Sequence, residues 1–424
     1  MYTAYIVRIN ELRKHSNADR LQVANIFDCN VIVDMNTKVG DIGIFFPVDG
    51  QLSKAYCEQN NLCRKKDENG KNIGGYLDED KRCVRAMGLR GERSEGLFMP
   101  LTSLEKFCDI STLNVGDQIT TINGNEICCK YIPKSVNRHT PNNSKCRRFK
   151  ADKQKLEKRY PFFTEHIDTP QLKYNPDMFK PGELIIMTEK LHGSSERVAN
   201  TFVYKDNLLS KIFKRPKYEY VGGTRRRIRS KGDSGYYGDE AFRDKWEDFF
   251  KGKLQKGETI YGEIVGFTEK NSPIMGRGDN TKLNDKDFVK RYGKTTTFSY
   301  GCDEDKGEND FYIYRITKTD EDGNVIEYPY DYIKIRAEQM GAKVVPEFER
   351  FIYTTHEDMM ERVNKYLEGC STIDSRHTRE GIVLRADRAD RYKVAKIKSY
   401  AFSVLEGLIK ENADAPDMEE AQEV

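Results

Sequence analysis

The sequence has no long apolar run, no closely spaced cysteine pairs of the CxxC kind and little excess charge of either sign. In 424 residues, no apolar stretch approaches the ~20 residues that a transmembrane helix needs. The first twenty residues, MYTAYIVRINELRKHSNADR, contain no apolar core of a signal peptide. We therefore expect a soluble, intracellular protein, cytoplasmic or in another internal compartment, that does not act on membranes.

The ten cysteines are scattered along the chain. Cys128 and Cys129 are adjacent, which makes a poor metal hook, and Cys57 and Cys63 are too far apart for a CxxC motif. This usage predicts reduced, mostly buried thiols. A structural zinc held by Cys57, Cys63 and Cys83 is the alternative.

The net charge is only +3, so total charge does not indicate a nucleic-acid partner, but its distribution is uneven. Lys130–Arg159 is rich in lysine and arginine, as is the segment KIFKRPKYEYVGGTRRRIRSK, whereas Glu411–Val424 is acidic. Such asymmetry favours local electrostatic roles, although a basic run alone is more often a solvated surface.

The pattern of predicted secondary structure changes after about the first third of the chain. The runs AYIVRI, RLQVANIF, NVIVDM, DIGIFF and EGLFMPL predict an all-β barrel or sandwich over residues 1–128. The turn KVGD recurs as NVGD before a later strand. Residues 129–165 read as a basic linker and the tail 411–424 as disordered.

Residues 166–410 mix strands and helices. Strands are predicted at ELIIMTEKL, ETIYGEIVGF, TTTFSYG, DFYIYRIT, GIVLRAD and RYKVAKIK, and helices at DEAFRDKWEDFFKGK, YDYIKIRAEQMG and HEDMMERVNKYLEG. Gly341 and Gly369 are expected to end the last two helices. Because there is no strict βαβ rhythm, this pattern predicts an α+β fold with largely antiparallel sheets.

Lys190 occupies an unusual position in TEKLHGSSERV (Thr188–Val198). An interior strand delivers it into a polar turn, where Gly193 would let a ligand approach the backbone and His192 could hydrogen-bond phosphate or sugar oxygens. A lysine amine is a nucleophile only when neutral, and burial or a nearby cation activates it. Taken alone, the stretch is equally consistent with a strand end and a polar turn.

Three further motifs follow Lys190 in order. Glu263 lies between glycines in YGEIVG, and Glu380 opens the strand GIVLR. Lys396 and Lys398, two apart in AKIKSY, would project from one face of a strand, where an anionic phosphate would relieve their repulsion. Read singly, the lysine pair is also compatible with a solvated face.

The ordered set resembles the covalent nucleotidyltransferase superfamily of ATP-dependent ligases and capping enzymes. KLHGS is similar to the K-x-H-G-[ST] form found in RNA ligases, and the resemblance covers about Glu183–Tyr400. It implies an antiparallel-sheet, ATP-grasp-like nucleotidyltransferase domain with flanking helices. It also implies an ATP-dependent RNA ligase that joins 3′-hydroxyl and 5′-phosphate ends through lysyl-AMP and an adenylylated RNA end, with Mg²⁺ or Mn²⁺. RNA ends in a nicked or broken duplex or tRNA are the implied partners, and a monomer is expected.

The resemblance assigns a role to individual residues. Lys190 is the adenylate acceptor, and Lys396 and Lys398 grip the α-phosphate. Tyr314 in FYIYRI stacks on adenine, although the chain has Tyr–Arg where the family often has Phe–Asp. The implied nucleotide-binding residues are Glu189, Lys190, Leu191, His192, Arg225, Glu263, Tyr314, Glu380, Lys396 and Lys398, with Glu380 and Glu263 as metal ligands and Arg226 or Arg227 as alternatives to Arg225.

The N-terminal segments NADRLQVANIF, KVGDIGIFFPVDGQLS and VRAMGLRGERSEGLFMPL resemble an OB-type barrel of the tRNA-binding sort. This resemblance implies a nucleic-acid-binding domain over residues 1–128, with Arg85, Arg90 and Arg93 as RNA contacts. Arg226 and Arg227 are further candidates for contact with RNA. An ordinary exposed basic face is the alternative reading of these arginines.

Three other functions stay open at this point. The same chemistry would serve a ligase for DNA or mixed nicks, and GTP in place of ATP would indicate a capping guanylyltransferase. A tRNA-binding protein without catalytic activity is the non-enzymatic alternative.

Overall fold

The computed structural model describes most of the chain, namely residues 2–27, 29–66, 72–89, 92–131, 155–163, 165–167, 169–203, 217–232, 237, 240–283, 285–388 and 392–406. Arg90, the side chain of Arg93, linker residues 132–154 and the tail 411–424 lie outside the described part. Within it, no helix is long and apolar enough to cross a membrane. The chain divides into two compact units, one formed by Met1–Ser135, Thr281–Val289 and Ser403–Val424, the other by Val136–Asn280 and Lys290–Phe402.

The first unit is built from short antiparallel strands. They are β1 (Ala4–Arg8), β2 (Leu12–Lys14), β3 (Leu21–Ile26), β4 (Cys29–Asp34), β5 (Ile42–Pro47), β6 (Gly50–Leu52), β7 (Lys65–Lys66), β8 (Asn72–Gly74), β9 (Cys83–Val84), β10 (Met87–Leu89), β11 (Glu92–Ser94), β12 (Gly96–Pro100), β13 (Gln118–Ile119), β14 (Thr121–Ile122), β15 (Asn125–Glu126) and β16 (Cys128–Lys130), with helix α1 (Lys54–Gln59) after β6.

These strands form a four-stranded sheet β12-β5-β1-β13, two three-stranded sheets β2-β3-β4 and β16-β6-β9, and two-stranded ribbons. In the described residues the sheets do not close into a barrel. The predicted strand-rich structure is therefore present in the first unit, while the OB-type barrel stays a prediction.

The two related turns flank the same strand. KVGD (Lys38–Asp41) leads into β5 and NVGD (Asn114–Asp117) into β13, and both strands pair with β1. In each turn the aspartate carboxylate accepts the backbone N–H of the first residue, at 2.8 and 2.7 Å. Gly40 and Gly116 adopt φ of 97° and 99°, which glycine reaches without steric cost. The shared sequence thus encodes a shared turn.

The second unit is larger and mixes strands with helices. Its strands are β17 (Leu184–Lys190), β18 (Ser194–Val203), β19 (Lys217–Thr224), β20 (Glu258–Glu269), β21 (Ser272–Pro273), β22 (Gly278–Asp279), β23 (Thr295–Thr296), β24 (Asn309–Thr319), β25 (Val325–Glu327), β26 (Lys343–Val344), β27 (Glu347–Ile352), β28 (Gly381–Asp387) and β29 (Lys393–Lys398). The helices that follow α1 along the chain are α2 (Ala241–Phe250), α3 (Lys286–Tyr292), α4 (Tyr330–Met340), α5 (His356–Leu367) and α6 (Tyr400–Leu405).

Two antiparallel sheets organise this unit. One has the order β27-β17-β28-β29, and the other runs β19-β18-β20-β24-β25, with β21 on β20 and β26 parallel to β24. The chain leaves the first sheet at Lys190 and enters the second at Ser194. The α+β prediction with largely antiparallel sheets is confirmed, and the turn that carries the candidate nucleophile connects the sheets.

The predicted helices form for recognisable reasons. The side chain of Thr355 accepts the N–H of Asp358 and caps the start of α5. Helix α4 ends at Gly341, whose φ of 68° is left-handed, as expected for a glycine C-cap. Helix α5 ends at Leu367, two residues before Gly369.

One predicted strand is largely absent. In TTTFSYG, only Thr295 and Thr296 pair with a neighbouring strand, β22. Tyr300 has φ of +50°, which an extended strand cannot contain. The residues around it fold instead into a buried turn against the second unit's core, with Phe298 and Tyr300 each 2% exposed.

Candidate active site

Strand register brings Lys190 beside the later lysine motif. Lys190 at the end of β17 lies opposite Gly381 on β28, and Gly381 lies opposite Lys398 on β29. The carboxylate of Glu380, which precedes Gly381, lies close to the amines of both lysines. Its Oε2 is 2.7 Å from Lys190 Nζ and its Oε1 is 3.5 Å from Lys398 Nζ. Three motifs that are distant in sequence therefore meet at one carboxylate.

Glu380 is nearly inaccessible, with 3% of its side chain exposed. Burial alone would raise the pKa of its carboxyl, but the positive charges of Lys190 and Lys398, with a smaller contribution from His192, lower that pKa to about 2. The two neighbouring lysines thus favour the charged form of this buried carboxyl group.

Glu263 lies near the same charges but has the opposite shift. It stands on β20 opposite Ser195 of β18, in the second sheet. Burial raises the pKa of Glu263 to about 7; the charge of Lys190 opposes this effect and that of Glu380 adds to it. Two carboxyl groups with pKa values pushed apart, beside one lysine, are typical of a functional site.

A β-bulge aims Tyr314 at this face. The pairing of β20 with β24 shifts register between Tyr261 and Gly262, which leaves Tyr314 unpaired in the ladder. The hydroxyl of Tyr314 lies 3.0 Å from the Ser195 hydroxyl, while the guanidinium of the next residue, Arg315, lies over the Tyr261 ring. Consecutive side chains thus contact residues of one sheet face, which a regular strand does not allow.

The three candidate arginines that follow β19 have different surroundings. The charge of Arg225 acts on Glu263 and lowers its pKa, so Arg225 lies within electrostatic reach of the site. Arg226 is exposed, and Arg227 lies 3.9 Å from the buried Glu240 carboxylate. Arg225 is thus the arginine for which an effect on Glu263 is found, and its role as the nucleotide-contacting residue stays a prediction.

Lys396 shares a face of β29 with Lys398, since the two are separated by one residue of the strand. It pairs with Val383 of β28, and its backbone N–H donates to Pro170 O at 2.9 Å. Both ends of the predicted lysine clamp therefore belong to one rigid strand.

Glu189 and Leu191, which flank Lys190, are both buried. The Oε2 atom of Glu189 accepts the backbone N–H of Thr372 at 3.0 Å and also its hydroxyl. In the described structure, Oε1 of Glu189 has no hydrogen-bond partner. Glu189 thus holds the segment that leads to Glu380, a contact that the sequence did not predict.

His192 is enclosed by residues that the sequence analysis did not assign to the site. Its ring packs edge-on against Phe298 and Phe402, with centroids 4.8 and 4.7 Å away, and its Nδ1 is 3.7 Å from Glu380 Oε2. Its backbone N–H donates to the Tyr300 hydroxyl at 2.7 Å. The aromatic residues of TTTFSYG were the available signal, but they read as an ordinary strand.

Arg243 of α2 is another residue near the site that the sequence did not predict. It donates to the Ser195 carbonyl at 3.0 Å, to the Ser194 hydroxyl and to the fully buried Glu196. Burial raises the pKa of Glu196 to about 7 despite the charges of Arg243 and Arg229. Helix α2 thus anchors the start of β18.

Gly193 packs closely against a neighbouring strand. A Cβ on Gly193 would come 2.3 Å from Ile264 O and 2.9 Å from the Glu263 side chain. The absence of a side chain at this position therefore lets the turn pack against strand β20. The expected approach of a ligand to this glycine stays a prediction.

Away from the lysine cluster, the structure bears on two further predictions, which concern Arg85 and a zinc site formed by cysteines. Arg85 of the first unit lies over the Tyr131 ring, with Cζ 5.9 Å from its centroid. No three or more His, Cys, Asp or Glu side chains in the described part of the chain are grouped to hold a metal ion, and Cys57, Cys63 and Cys83 form no such group.

The strand-end lysine, the buried glutamate and the second lysine meet at one end of a single antiparallel sheet, as the resemblance to the covalent nucleotidyltransferases implied. The sequence model of the RNA ligase family matches residues 183–398, just over half of the chain. The chain belongs to the RNA ligase family, as the ordered motifs predicted.

Solved structures agree at the level of the fold. A lysine-to-alanine mutant of Naegleria gruberi RNA ligase with ATP and Mn shares 18% identity and a TM-score of 0.57, covering 94% of this chain and 97% of that chain. A lysine-to-methionine mutant of that ligase with AMP and Mn gives the same values. A comparison with curated protein sequences finds no match.

Proposed function

We propose that this protein joins RNA ends in an ATP-dependent reaction with three steps. The convergence of Lys190 and Lys398 on Glu380, at 2.7 and 3.5 Å, is the observation that supports it most directly. In the first step Lys190 releases its ammonium proton to solvent, and the resulting neutral amine attacks the α-phosphorus of ATP. A nitrogen–phosphorus bond forms, the bond to the bridging oxygen breaks, pyrophosphate leaves, and the amine proton passes to solvent.

The later steps move the adenylate. The 5′-phosphate of an RNA end attacks the lysyl-AMP phosphorus and releases Lys190. The 3′-hydroxyl of the neighbouring end then attacks the activated 5′-phosphorus and expels AMP. Negative charge builds on phosphoryl oxygens in each displacement, so the fixed ammonium groups of Lys396 and Lys398 would supply electrostatic stabilisation. The Tyr314 ring and the Arg225 guanidinium are proposed to hold the nucleotide base and a phosphate.

The residues present are compatible with a divalent cation. Glu380 and Glu263 offer hard oxygen ligands, and Mg²⁺ is usually held by one or two carboxylates with substrate phosphates and water completing its shell. The raised pKa of Glu263, due first to burial and then to Glu380, is the perturbation that a cation would relieve. Bound Mg²⁺ or Mn²⁺ would neutralise phosphate charge, and the Naegleria gruberi ligase structures with ATP or AMP contain Mn.

The domain layout belongs to the same proposal. Residues 1–128 would act as an OB-type nucleic-acid-binding module, residues 129–165 as a basic linker and residues 166–410 as the catalytic domain, with 411–424 as an acidic tail. The strand-rich first unit, in which the Arg85 guanidinium lies over the Tyr131 ring, supports this reading. Broken or nicked RNA duplexes or tRNA are the proposed substrates, and the enzyme would act as an intracellular monomer.

The direct test is covalent labelling. Incubation of the full chain with α-labelled ATP and Mg²⁺ or Mn²⁺ should leave an alkali-stable, acid-labile phosphoramide that is lost in Lys190→Ala. Lys398→Ala should reduce labelling strongly. Lys393→Ala is the matched control, because Lys393 lies on the same strand β29 and is similarly covered but pairs with Glu183 instead. It should label like the wild type.

The competing functions give different outcomes. Labelling by GTP in place of ATP would indicate a capping enzyme, and sealing of nicked DNA but not nicked RNA would indicate a DNA ligase. If no nucleotide labels the protein with either metal while tRNA still binds, the catalytic proposal is wrong and the binding function stands.

A further inference from the structure

Tyr300 supports the nucleophile turn from outside the ligase motifs. It belongs to TTTFSYG, in which the strand β23 ends at Thr296, and it is 2% exposed. Its hydroxyl oxygen accepts the backbone N–H of His192 at 2.7 Å. His192 lies two residues after Lys190 in the connection between β17 and β18, so this bond fixes the backbone that carries the nucleophile.

The backbone of Tyr300 is itself strained and held in place. Its φ of +50° is uncommon for a bulky residue and carries a cost in free energy. One carboxylate oxygen of Asp374 accepts the Ser299 hydroxyl at 2.6 Å and the Gly301 N–H at 2.9 Å. Asp374 thus binds both chain neighbours of Tyr300. Such strain persists where the surroundings over-determine it, and it is concentrated at functional sites.

His377 fixes the same residue from another side. Its Nε2 accepts the Tyr300 N–H at 3.4 Å, and its ring packs edge-on against the Tyr300 ring with centroids 4.5 Å apart. Because Nε2 is an acceptor, the neutral ring carries its proton on Nδ1, which donates to Thr378 O at 3.0 Å. Both ring nitrogens of His377 therefore form hydrogen bonds, one of them to the backbone of Tyr300.

The segment that supplies these contacts ends at the catalytic carboxylate. Asp374 and His377 precede Glu380 by a few residues, and Thr372 of the same segment is bound by Glu189, the residue before Lys190. The segment therefore contacts Lys190 through Glu380, holds Glu189, and supports His192 through Tyr300. Glu189 and His192, which lie on either side of Lys190, are thus both held through contacts with this one segment.

We propose that Tyr300, held by Asp374 and His377, is a positioning residue for Lys190, which fixes the Leu191–Gly193 turn so that the amine meets the α-phosphorus in line. This inference rests on the proposed function. Misplacement of a reacting group by about 1 Å costs on the order of 10²-fold in rate. Loss of one hydrogen bond that leaves a buried N–H unsatisfied corresponds to roughly 10- to 100-fold.

The test is Tyr300→Phe, which keeps the ring and removes the accepting oxygen. In single-turnover assays with labelled ATP, the rate constant for lysyl-adenylate formation at saturating ATP should fall about 10- to 100-fold, while the ATP concentration for half-maximal rate stays within about threefold. A purely structural role would not produce this division between rate and affinity.

Tyr330→Phe is the matched control. Tyr330 is also 2% exposed, and its hydroxyl donates to Val345 O at 2.9 Å, so its removal deletes a comparable buried hydrogen bond that does not involve the Leu191–Gly193 turn. This variant should label at the wild-type rate. Equal rates in Tyr300→Phe and the wild type, or equal losses in the two phenylalanine variants, would overturn the proposal.

Two further arms keep the outcome unambiguous. If Tyr300→Phe does not fold, Asp374→Asn tests the same support with the Tyr300 hydroxyl intact. It should slow labelling at unchanged half-saturation, and a wild-type rate would refute the role of the support. If the wild type and Tyr330→Phe are not labelled at all, the proposed function fails; if they are labelled and Tyr300→Phe is equally fast, only this inference fails.

Discussion

Lys190 and Glu380 form a 2.7 Å ion pair in which the glutamate side chain is almost completely buried. The same carboxylate lies 3.5 Å from Lys398. A buried anion is tolerated only when it is paired, and here two cations share the task. The pair therefore contributes to stability as well as to the proposed chemistry, and the two roles can be measured separately.

Glu380→Gln should destabilise the protein in a pH-dependent way. The pKa of Glu380 is lowered from 4.5 to about 2, so its ion pairs stabilise the folded state fully above pH 4.5 and lose that effect as the pH falls toward 2. The variant should be about 1–3 kcal/mol less stable at pH 7, with a smaller difference at pH 3.5. Urea unfolding at the two pH values measures this.

Glu361→Gln is the control, since Glu361 is an exposed residue of α5 whose carboxylate pairs with Lys365. Its effect should stay within about 0.5 kcal/mol at both pH values. A Glu380→Gln difference that does not change between pH 7 and pH 3.5 would contradict the assigned ion pairs.

Glu263→Gln should behave in the opposite sense. Because the pKa of Glu263 is raised to about 7, the folded state holds a proton that the unfolded chain has released, and stability falls as the pH rises from 4.5 through 7. The glutamine variant lacks this penalty. Its stability relative to the wild type should improve by about 1 kcal/mol or more between pH 5 and pH 8.

The same variant tests the proposed metal ligand. Adenylate labelling in Mg²⁺ should fall even where the variant is more stable than the wild type, because an oxygen ligand is replaced by a weaker one. Chemical denaturation at pH 5 and pH 8, beside labelling assays at pH 8, separates the two effects. An unchanged stability difference at both pH values is the result that would disprove the assignment.

The sequence was informative where function depends on local order. Lys190, Glu263, Glu380 and the lysine pair each occupy a short recognisable motif, and period-two alternation predicts the strands that carry them. The ordered motifs also predict the RNA ligase family, which the family match confirms.

The sequence was least informative where one segment depends on distant partners. TTTFSYG is rich in β-branched and aromatic residues and therefore mimics a strand, but Tyr300 turns because Asp374, far along the chain, binds its neighbours. The bulge at Tyr314 is likewise a property of paired register, which no single strand encodes. Barrel closure in the first unit depends on the same kind of long-range pairing.

Tyr314 should matter through its ring more than through its hydroxyl. Tyr314→Ala removes the proposed stacking surface, and base stacking on an aromatic ring is worth about 1–3 kcal/mol. The half-saturating ATP concentration should therefore rise about tenfold or more in single-turnover labelling. Tyr314→Phe loses only the 3.0 Å contact with Ser195 and should stay within about threefold of the wild type. Equal affinity in all three proteins would exclude adenine stacking on this ring.

Gly193→Ala should damage both stability and catalysis, because the added methyl group has no space. It would meet Ile264 O at 2.3 Å, and a backbone oxygen of a central strand cannot move aside cheaply. We expect a loss of at least about 2 kcal/mol in the free energy of unfolding. Lysyl-adenylate formation should slow on the order of 10²-fold, since the displaced turn carries Lys190.

Gly182→Ala distinguishes this clash from a general intolerance of glycine replacement. Gly182 has φ of +91° with no atom within 4 Å of an added Cβ, so alanine is strained there but not crowded. That variant should lose about 1 kcal/mol and keep the wild-type labelling rate. If Gly193→Ala labels as fast as Gly182→Ala, the tight packing of β18 against β20 does not control the position of Lys190.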